Sequence, residues 1–171
     1  MIAGVVSDTH LPRFGTQLPK RLIEGLVRAK VSAILHAGDL VTPLAIALLE
    51  EIAPVIAVRG NNDKPGDYPV SLPQRTIVEF EGVRIGLVHG HAGKGRTTPD
   101  RAFNTFADDA VAAIVFGHSH IPMIAKRDGV LLVNPGSPTD KRLNPRYSFA
   151  TLEIKGRAVT ASMHYYLNRS T

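Results

Sequence analysis

The chain of 171 residues contains no cysteine, which excludes disulfides and thiolate metal ligands and leaves only nitrogen and oxygen donors for any metal. Aromatic residues make up only 6% of it, and its 20 Lys and Arg are scattered, Lys141, Arg142 and Arg146 being the closest approach to a cluster. A net charge of +5 suits phosphate-bearing ligands, but without a basic stripe or a stacking platform nucleic acid is disfavoured as the partner. Long apolar runs are missing too: none approaches the ~20 residues of a membrane helix. Met1-Ile2-Ala3-Gly4-Val5-Val6 enters Ser7-Asp8 without a basic region or cleavage pattern, so the expectation is a cytoplasmic protein with no membrane association. No repeat or low-complexity segment occurs, and a hydrophobic fraction of 44% with 20% charged residues is ordinary for a soluble globular protein.

A chain this long is expected to form a single domain, residues 1–171, burying roughly 70% of its unfolded surface. Its first half alternates strand and helix. Ile2 to Ser7, Ala33 to His36 and Val55 to Val58 read as buried strands. Pro19 to Lys30 places Leu22, Ile23, Leu26 and Val27 on one helical face. Thr42-Pro43 predicts a helix start, with Thr42 at the N-cap and proline at N1, leading into an apolar helix from Leu44 to Ile52. This β-α-β-α-β order implies parallel pairing with right-handed crossovers.

The second half predicts hairpins turning at Glu81-Gly82, Asp128-Gly129 and Lys155-Gly156, a helix around Arg101 to Ala107, a buried strand from Ala112 to Phe116, and closing strands from Ser148 to Ile154 and Ala158 to Tyr165. Lys64 to Pro73, Gly90 to Pro99 and Pro135 to Pro145 are rich in proline, glycine or threonine and are expected to be irregular rims of a site. Parallel units followed by hairpins suggest two mixed sheets packed face to face, with helices outside.

What the chain does have is a series of short polar clusters, each after an apolar run: Asp8-Thr9-His10, Gly38-Asp39, Gly60-Asn61-Asn62-Asp63, His89-Gly90-His91 and Gly117-His118-Ser119-His120. Loops leaving the carboxyl ends of parallel strands converge on one crevice. Successive spacings of 31, 22, 28 and 29 residues from Asp8 to Asp39, Asn61, His89 and His118 suit strand-to-strand returns, so each ligand can come from a different loop. Carboxylates, imidazoles and a carboxamide gathered in this way bind metal.

In this order the motifs resemble those of the calcineurin-like metallophosphoesterases. The GNxD cluster and the later Asn134-Pro135-Gly136-Ser137 are similar to the YfcE-type phosphodiesterase branch, over about residues 2–154. The resemblance implies a four-layer αββα sandwich of two mixed β-sheets flanked by helices. It implies one divalent ion held by Asp8, His10, Asp39 and His120, and a second held by Asp39, Asn61, His89 and His118, with Asp39 bridging. It further implies a metal-activated hydroxide attacking a phosphoester in line. Sulfur-free ligation fits Mn²⁺, the first choice, and also Fe²⁺, Zn²⁺ or Ni²⁺. Metal, and activity with it, is expected to be lost on acidification, because ligating imidazoles must be neutral.

Many larger members of that superfamily carry His where this chain has Asn62, so an imidazolium donor to the leaving group is missing there, and His91 is a candidate substitute. Asp63 is read as orienting the Asn61 loop or a metal-bound His. Asn134 to Ser137 is balanced between presenting donors to phosphate and forming a plain turn; Lys94, Arg96 and Arg142 are candidate phosphate contacts. His36 and His164 are expected to be structural. Gly93-Lys94 lacks the flanking residues of a phosphate-binding loop, with Val88 at the first glycine position and Gly95 after the lysine. Asn168-Arg169-Ser170 matches a glycosylation triplet without other signs of secretion.

The function expected is phosphodiester hydrolysis of a small-molecule substrate. The rival is a protein-interaction scaffold, since the retromer scaffold subunit is similar to this branch. Tyr165, Tyr166 and Leu167 form a short apolar patch that could pair subunits into a homo-oligomer.

Overall fold

The structure, a computed structural model, describes residues 1–169; Ser170 of the Asn168-Arg169-Ser170 triplet and the last residue of the expected domain lie outside the described residues. Chain order is β1 (Ile2–Val6), α1 (Lys20–Ala29), β2 (Ala33–His36), α2 (Leu44–Glu50), β3 (Val55–Ala57), β4 (Arg75–Phe80), β5 (Val83–Val88), α3 (Thr98–Thr105), β6 (Ala113–Val115), β7 (Met123–Arg127), β8 (Val130–Asn134), β9 (Tyr147–Lys155) and β10 (Ala158–Tyr166).

Two five-stranded mixed sheets result, ordered β10-β9-β1-β2-β3 and β4-β5-β6-β8-β7. In the first sheet β1, β2 and β3 run parallel, with Val5 opposite Leu35 and Leu35 opposite Ile56. In the second, β5, β6 and β8 run parallel, with Ile85 opposite Ala113 and Ala113 opposite Leu131. Antiparallel strands extend the first trio on its β1 side, through β9 and β10, and flank the second on both sides, as β4 and β7. Val5, Leu35 and Leu152 of one sheet meet Ile85, Val115 and Val133 of the other in a dry core between them. The outer face of the first sheet is covered by α1 and α2 through Leu22, Leu26 and Leu49, and that of the second by α3 through Ala102 and Phe106. The four-layer sandwich expected from the sequence is the architecture observed.

Two local expectations are corrected, and a third gains a second partner. In α1, Leu22 and Leu26 are fully buried, each contributing roughly 1.5–3 kcal/mol, whereas Ile23 and Val27 of the same expected face are 37% and 57% exposed. The buried stripe is only an i, i+4 pair because one sheet face lies beneath it. At α2 the Thr42 hydroxyl accepts from the Leu44 N–H at 3.4 Å, as expected of a cap, while donating to the Leu11 carbonyl at 3.0 Å, and Pro43 after it is already helical in backbone. In α3, the helix begins at Thr98, within the stretch expected to be irregular. Thr97 and Asp100 form a reciprocal capping box there that outweighs the glycines and prolines around it.

Candidate metal centre

All five clusters lie just beyond the carboxyl ends of parallel strands. Asp8 and His10 follow β1, Asp39 follows β2, Asn61 to Asp63 follow β3, His89 and His91 follow β5, and His118 and His120 follow β6. The backbone there is unusual. Asp8, His10, Asp39, His118 and His120 have φ of 56°, 46°, 57°, 68° and 60°, the left-handed region that non-glycine residues rarely adopt. Such residues cost on the order of 1 kcal/mol or more each and persist only where surrounding contacts dictate them.

The glycines that precede ligands are there for space. A Cβ on Gly38 would come within 2.7 Å of the Gly60 nitrogen, one on Gly60 within 2.5 Å of the Asp39 nitrogen, and one on Gly117 within 2.6 Å of Asp8 Oδ2 while overlapping the Ser7 hydroxyl. The loops after β2 and β3 therefore touch backbone to backbone, the loop after β6 presses on the Ser7 and Asp8 side chains from the other sheet, and only glycine permits either approach.

The donors meet in one buried cluster. Asp8 Oδ1 lies 3.3 Å from His120 Nε2, 3.8 Å from His10 Nε2 and 3.9 Å from His89 Nε2. Asp39 Oδ2 lies 3.4 Å from His89 Nε2 and 3.8 Å from His10 Nε2. The Asn61 carboxamide oxygen faces His89 Nε2 at 3.2 Å and His118 Nδ1 at 3.0 Å. Two three-residue sets, Asp8-His10-His120 and Asp8-Asp39-His89, each bring all their donor atoms within 4.8 Å of one another. Asp8 Oδ1, at the centre, is buried and has no hydrogen-bond partner among the described residues. A buried carboxylate oxygen without a donor is costly, and a cation among these imidazoles removes the cost.

The far side of each ligand is anchored. His89 Nδ1 donates to the Ala37 carbonyl at 2.7 Å and His120 Nδ1 to the Asp140 carbonyl at 2.6 Å, which leaves Nε2 of both rings facing the cluster as an acceptor. Asp8 Oδ2 accepts from the Ser7 hydroxyl at 2.7 Å and from the His118 N–H at 3.0 Å. Burial tends to raise both carboxyls, but His120, His89 and Ser7 around Asp8, and His89 with Asn62 around Asp39, hold them below the usual carboxylate value. Burial tends to lower His89 and His120 as well; Asp39 and Asp8 outweigh it and hold both above the usual imidazole value. The cluster without a cation thus shares protons between its carboxylates and imidazoles where a divalent ion would satisfy both. Nitrogen and oxygen donors in these numbers fit such ions.

The calcineurin-like phosphoesterase superfamily domain matches residues 1–157. This chain belongs to that superfamily. A probable metallophosphoesterase of Methanothermobacter thermautotrophicus is 35% identical over 164 residues, 95% of this chain and 91% of its own length. A phosphodiesterase of Methanocaldococcus jannaschii is 29% identical over 149 residues, covering 80% of this chain and 83% of the relative. In fold alone, wild-type Vps29 of Entamoeba histolytica, crystallised with zinc, superposes with a TM-score of 0.78 at 22% identity, over 96% of this chain and 99% of that one. The superfamily and branch expected from the motifs are those found.

Within this superfamily fold, the residues singled out beyond the ligands take distinct places. Asn62 gives both its backbone N–H and its side-chain amide to Asp39. Asp63 is buried and accepts four hydrogen bonds: from the N–H groups of Asp39, Gly60 and Val41 at 2.8, 2.7 and 2.8 Å, and from the Tyr68 hydroxyl at 2.6 Å. It ties the Gly38-Asp39 loop to the Gly60-Asn61 loop. His91 stands beside His89 and His118, ring centroids 5.4 and 6.2 Å away, with its Nδ1 buried and without a partner among the described residues. Asn134 and Ser137 brace loops: the Asn134 amide donates to the Gly117 carbonyl and the Ser137 hydroxyl to the Asp8 carbonyl. His36 is enclosed by Thr9 and Gly38, and His164 stacks on Phe149 and bonds Thr151.

Sequence reading missed Tyr68, Ser7 and the Asp140 and Ala37 carbonyls. Backbone acceptors leave no mark in a sequence, and Tyr68 sits in the proline-rich 64–73 segment, where spacing carries no information. A cavity of about 500 Å³ between α1 and β10 lies elsewhere. Convergence of donors, and not depth, marks this site.

Proposed function

We propose that this superfamily member is a phosphodiesterase, formed as one domain, that works on small-molecule phosphoesters in the cytoplasm with two divalent ions, Mn²⁺ foremost. The observation that carries the reading is the unpartnered, buried Asp8 Oδ1 among His10, His89 and His120. Asp8, His10, Asp39 and His120 would hold one ion, and Asp39, Asn61, His89 and His118 the other. Bound there, the ions supply an activated water and a charge clamp for phosphoryl oxygens.

The protein's own part is arrangement. Asn62 and Asp63 fix the Asp39 carboxylate and its loop from behind, and Ala37 and Asp140 fix the tautomers of His89 and His120. His91 stands on the rim beside two proposed ligands, available to the substrate's leaving oxygen. The likeness to Vps29 favours the second reading, an interaction scaffold that binds metal without turnover.

The test is hydrolysis of bis-p-nitrophenyl phosphate by metal-stripped protein titrated with Mn²⁺, beside an Asp39→Ala variant. Turnover that rises with Mn²⁺ and disappears in the variant supports the enzyme. Metal uptake without turnover under any divalent ion supports the scaffold.

A further inference from the structure

Four strand edges bound the two sheets, and they are not alike. An unpaired edge is a template for another chain, and proteins ordinarily blunt such edges with short strands or charge. β3 is three residues long. β4 carries Arg75 and Glu79, and four of the five residues of β7 are exposed, Lys126 and Arg127 among them. β10 has neither protection: its nine residues, Ala-Val-Thr-Ala-Ser-Met-His-Tyr-Tyr, contain no Lys, Arg, Asp, Glu or Pro. One side of it pairs with β9 along the whole length, from Ala158 opposite Lys155 to Tyr166 opposite Tyr147. Its other side ends the sheet.

From this we infer that β10 is an interface with a second copy of this chain, paired antiparallel about a two-fold axis at Ser162. Self-pairing is the use for which lack of charge matters most, because a two-fold axis brings a strand's charges opposite its own. About Ser162, the middle of the strand, Ala161 faces Met163, Val159 faces Tyr165, Thr160 faces His164 and Ser162 faces itself.

Polarity matches on both faces. Val159, Ala161 and Met163 are the partly buried rim of the core between the sheets, and Tyr165 beside them is 45% exposed. Their counterparts across the axis are these same residues, so pairing extends the core past the edge and covers its open side. On the other face, exposed Thr160 and Ser162 and half-buried His164 meet polar groups. The β10-bearing sheets of the two copies join into one of ten strands. The inference stands apart from the phosphoesterase reading and needs no metal.

The chain has no cysteine, which makes the test direct. Opposed residues of an antiparallel pair have Cα atoms about 4.5–5.5 Å apart, within the roughly 4.4–6.8 Å that a disulfide spans. Under mild oxidation, Ser162→Cys is expected to give a covalent dimer in high yield. Thr160→Cys is expected not to, since its two copies would be offset by four residues, about 13 Å along the strands. Wild type should sediment at twice the 18.5 kDa chain mass, and Ser162→Lys, with its thermal unfolding unchanged, at the monomer mass. Wild type that sediments as a monomer at high concentration overturns the inference, as does a dimer that survives Ser162→Lys.

Discussion

Asn62 holds Asp39 at both oxygens: its backbone N–H donates to Oδ1 at 2.8 Å and its side-chain amide to Oδ2 at 2.6 Å. The side chain that replaces the histidine of larger relatives is therefore committed to the proposed bridging carboxylate. A hydrogen bond to a charged group contributes about 1.5–3 kcal/mol. Asn62→Ala, which removes the side-chain bond, is expected to weaken Mn²⁺ binding roughly 10- to 100-fold, as loss of a group that orients a ligand commonly does; competition against a fluorescent chelator measures it. Unchanged affinity would mean that the amide does not orient Asp39.

The same commitment limits leaving-group chemistry. General acid assistance is typically worth ~10²–10⁴-fold, and Asn62 offers no imidazolium proton. Bis-p-nitrophenyl phosphate, whose leaving group needs no proton, is expected to be hydrolysed far faster than an alkyl diester under the same Mn²⁺ loading. Comparable kcat/KM on the two would contradict this.

Asp63 gathers the donors of two loops. Asp63→Ala would strand the buried N–H groups of Asp39 and Gly60 and the Tyr68 hydroxyl. The expected loss is about 3 kcal/mol or more of unfolding free energy, read from urea melts of the metal-free protein. A loss below about 1 kcal/mol would show that water replaces the carboxylate.

His36 gives the fold an acid limit. Gly38 N–H donates to its Nδ1 at 3.2 Å, so Nε2 carries the proton and faces the Thr9 hydroxyl at 3.1 Å; burial pushes its pKa down to about 4 from 6.5. The unfolded chain takes up a proton near 6.5 that the folded chain refuses until about 4. This contribution is complete above pH 6.5 and lost progressively as pH falls toward 4. Urea melts across that window should show a smaller loss of stability for His36→Gln than for wild type. Parallel profiles would count against a buried neutral His36.

Much of this was legible in the sequence because the signals are local. Apolar runs gave the strands, and each polar cluster immediately follows one, so chain order alone predicted that Asp8, Asp39, Asn61, His89 and His118 share one edge. The start of α3 was less legible, because the Thr97-Asp100 box overrides a glycine-rich context. Invisible in advance were the contacts between loops far apart in sequence. Asp63 reaches Val41 across 22 residues and Ser137 reaches the Asp8 carbonyl across 129, and nothing in either local sequence names its partner.

The most direct test of the two-ion centre is electron paramagnetic resonance of metal-stripped protein as Mn²⁺ is added. The first equivalent should give the hyperfine pattern of an isolated ion, and the second should diminish it as both ions couple through Asp39, with Asp39→Asn abolishing the coupling. Saturation at one ion per chain, or two ions that keep isolated signals, would contradict a centre bridged by Asp39.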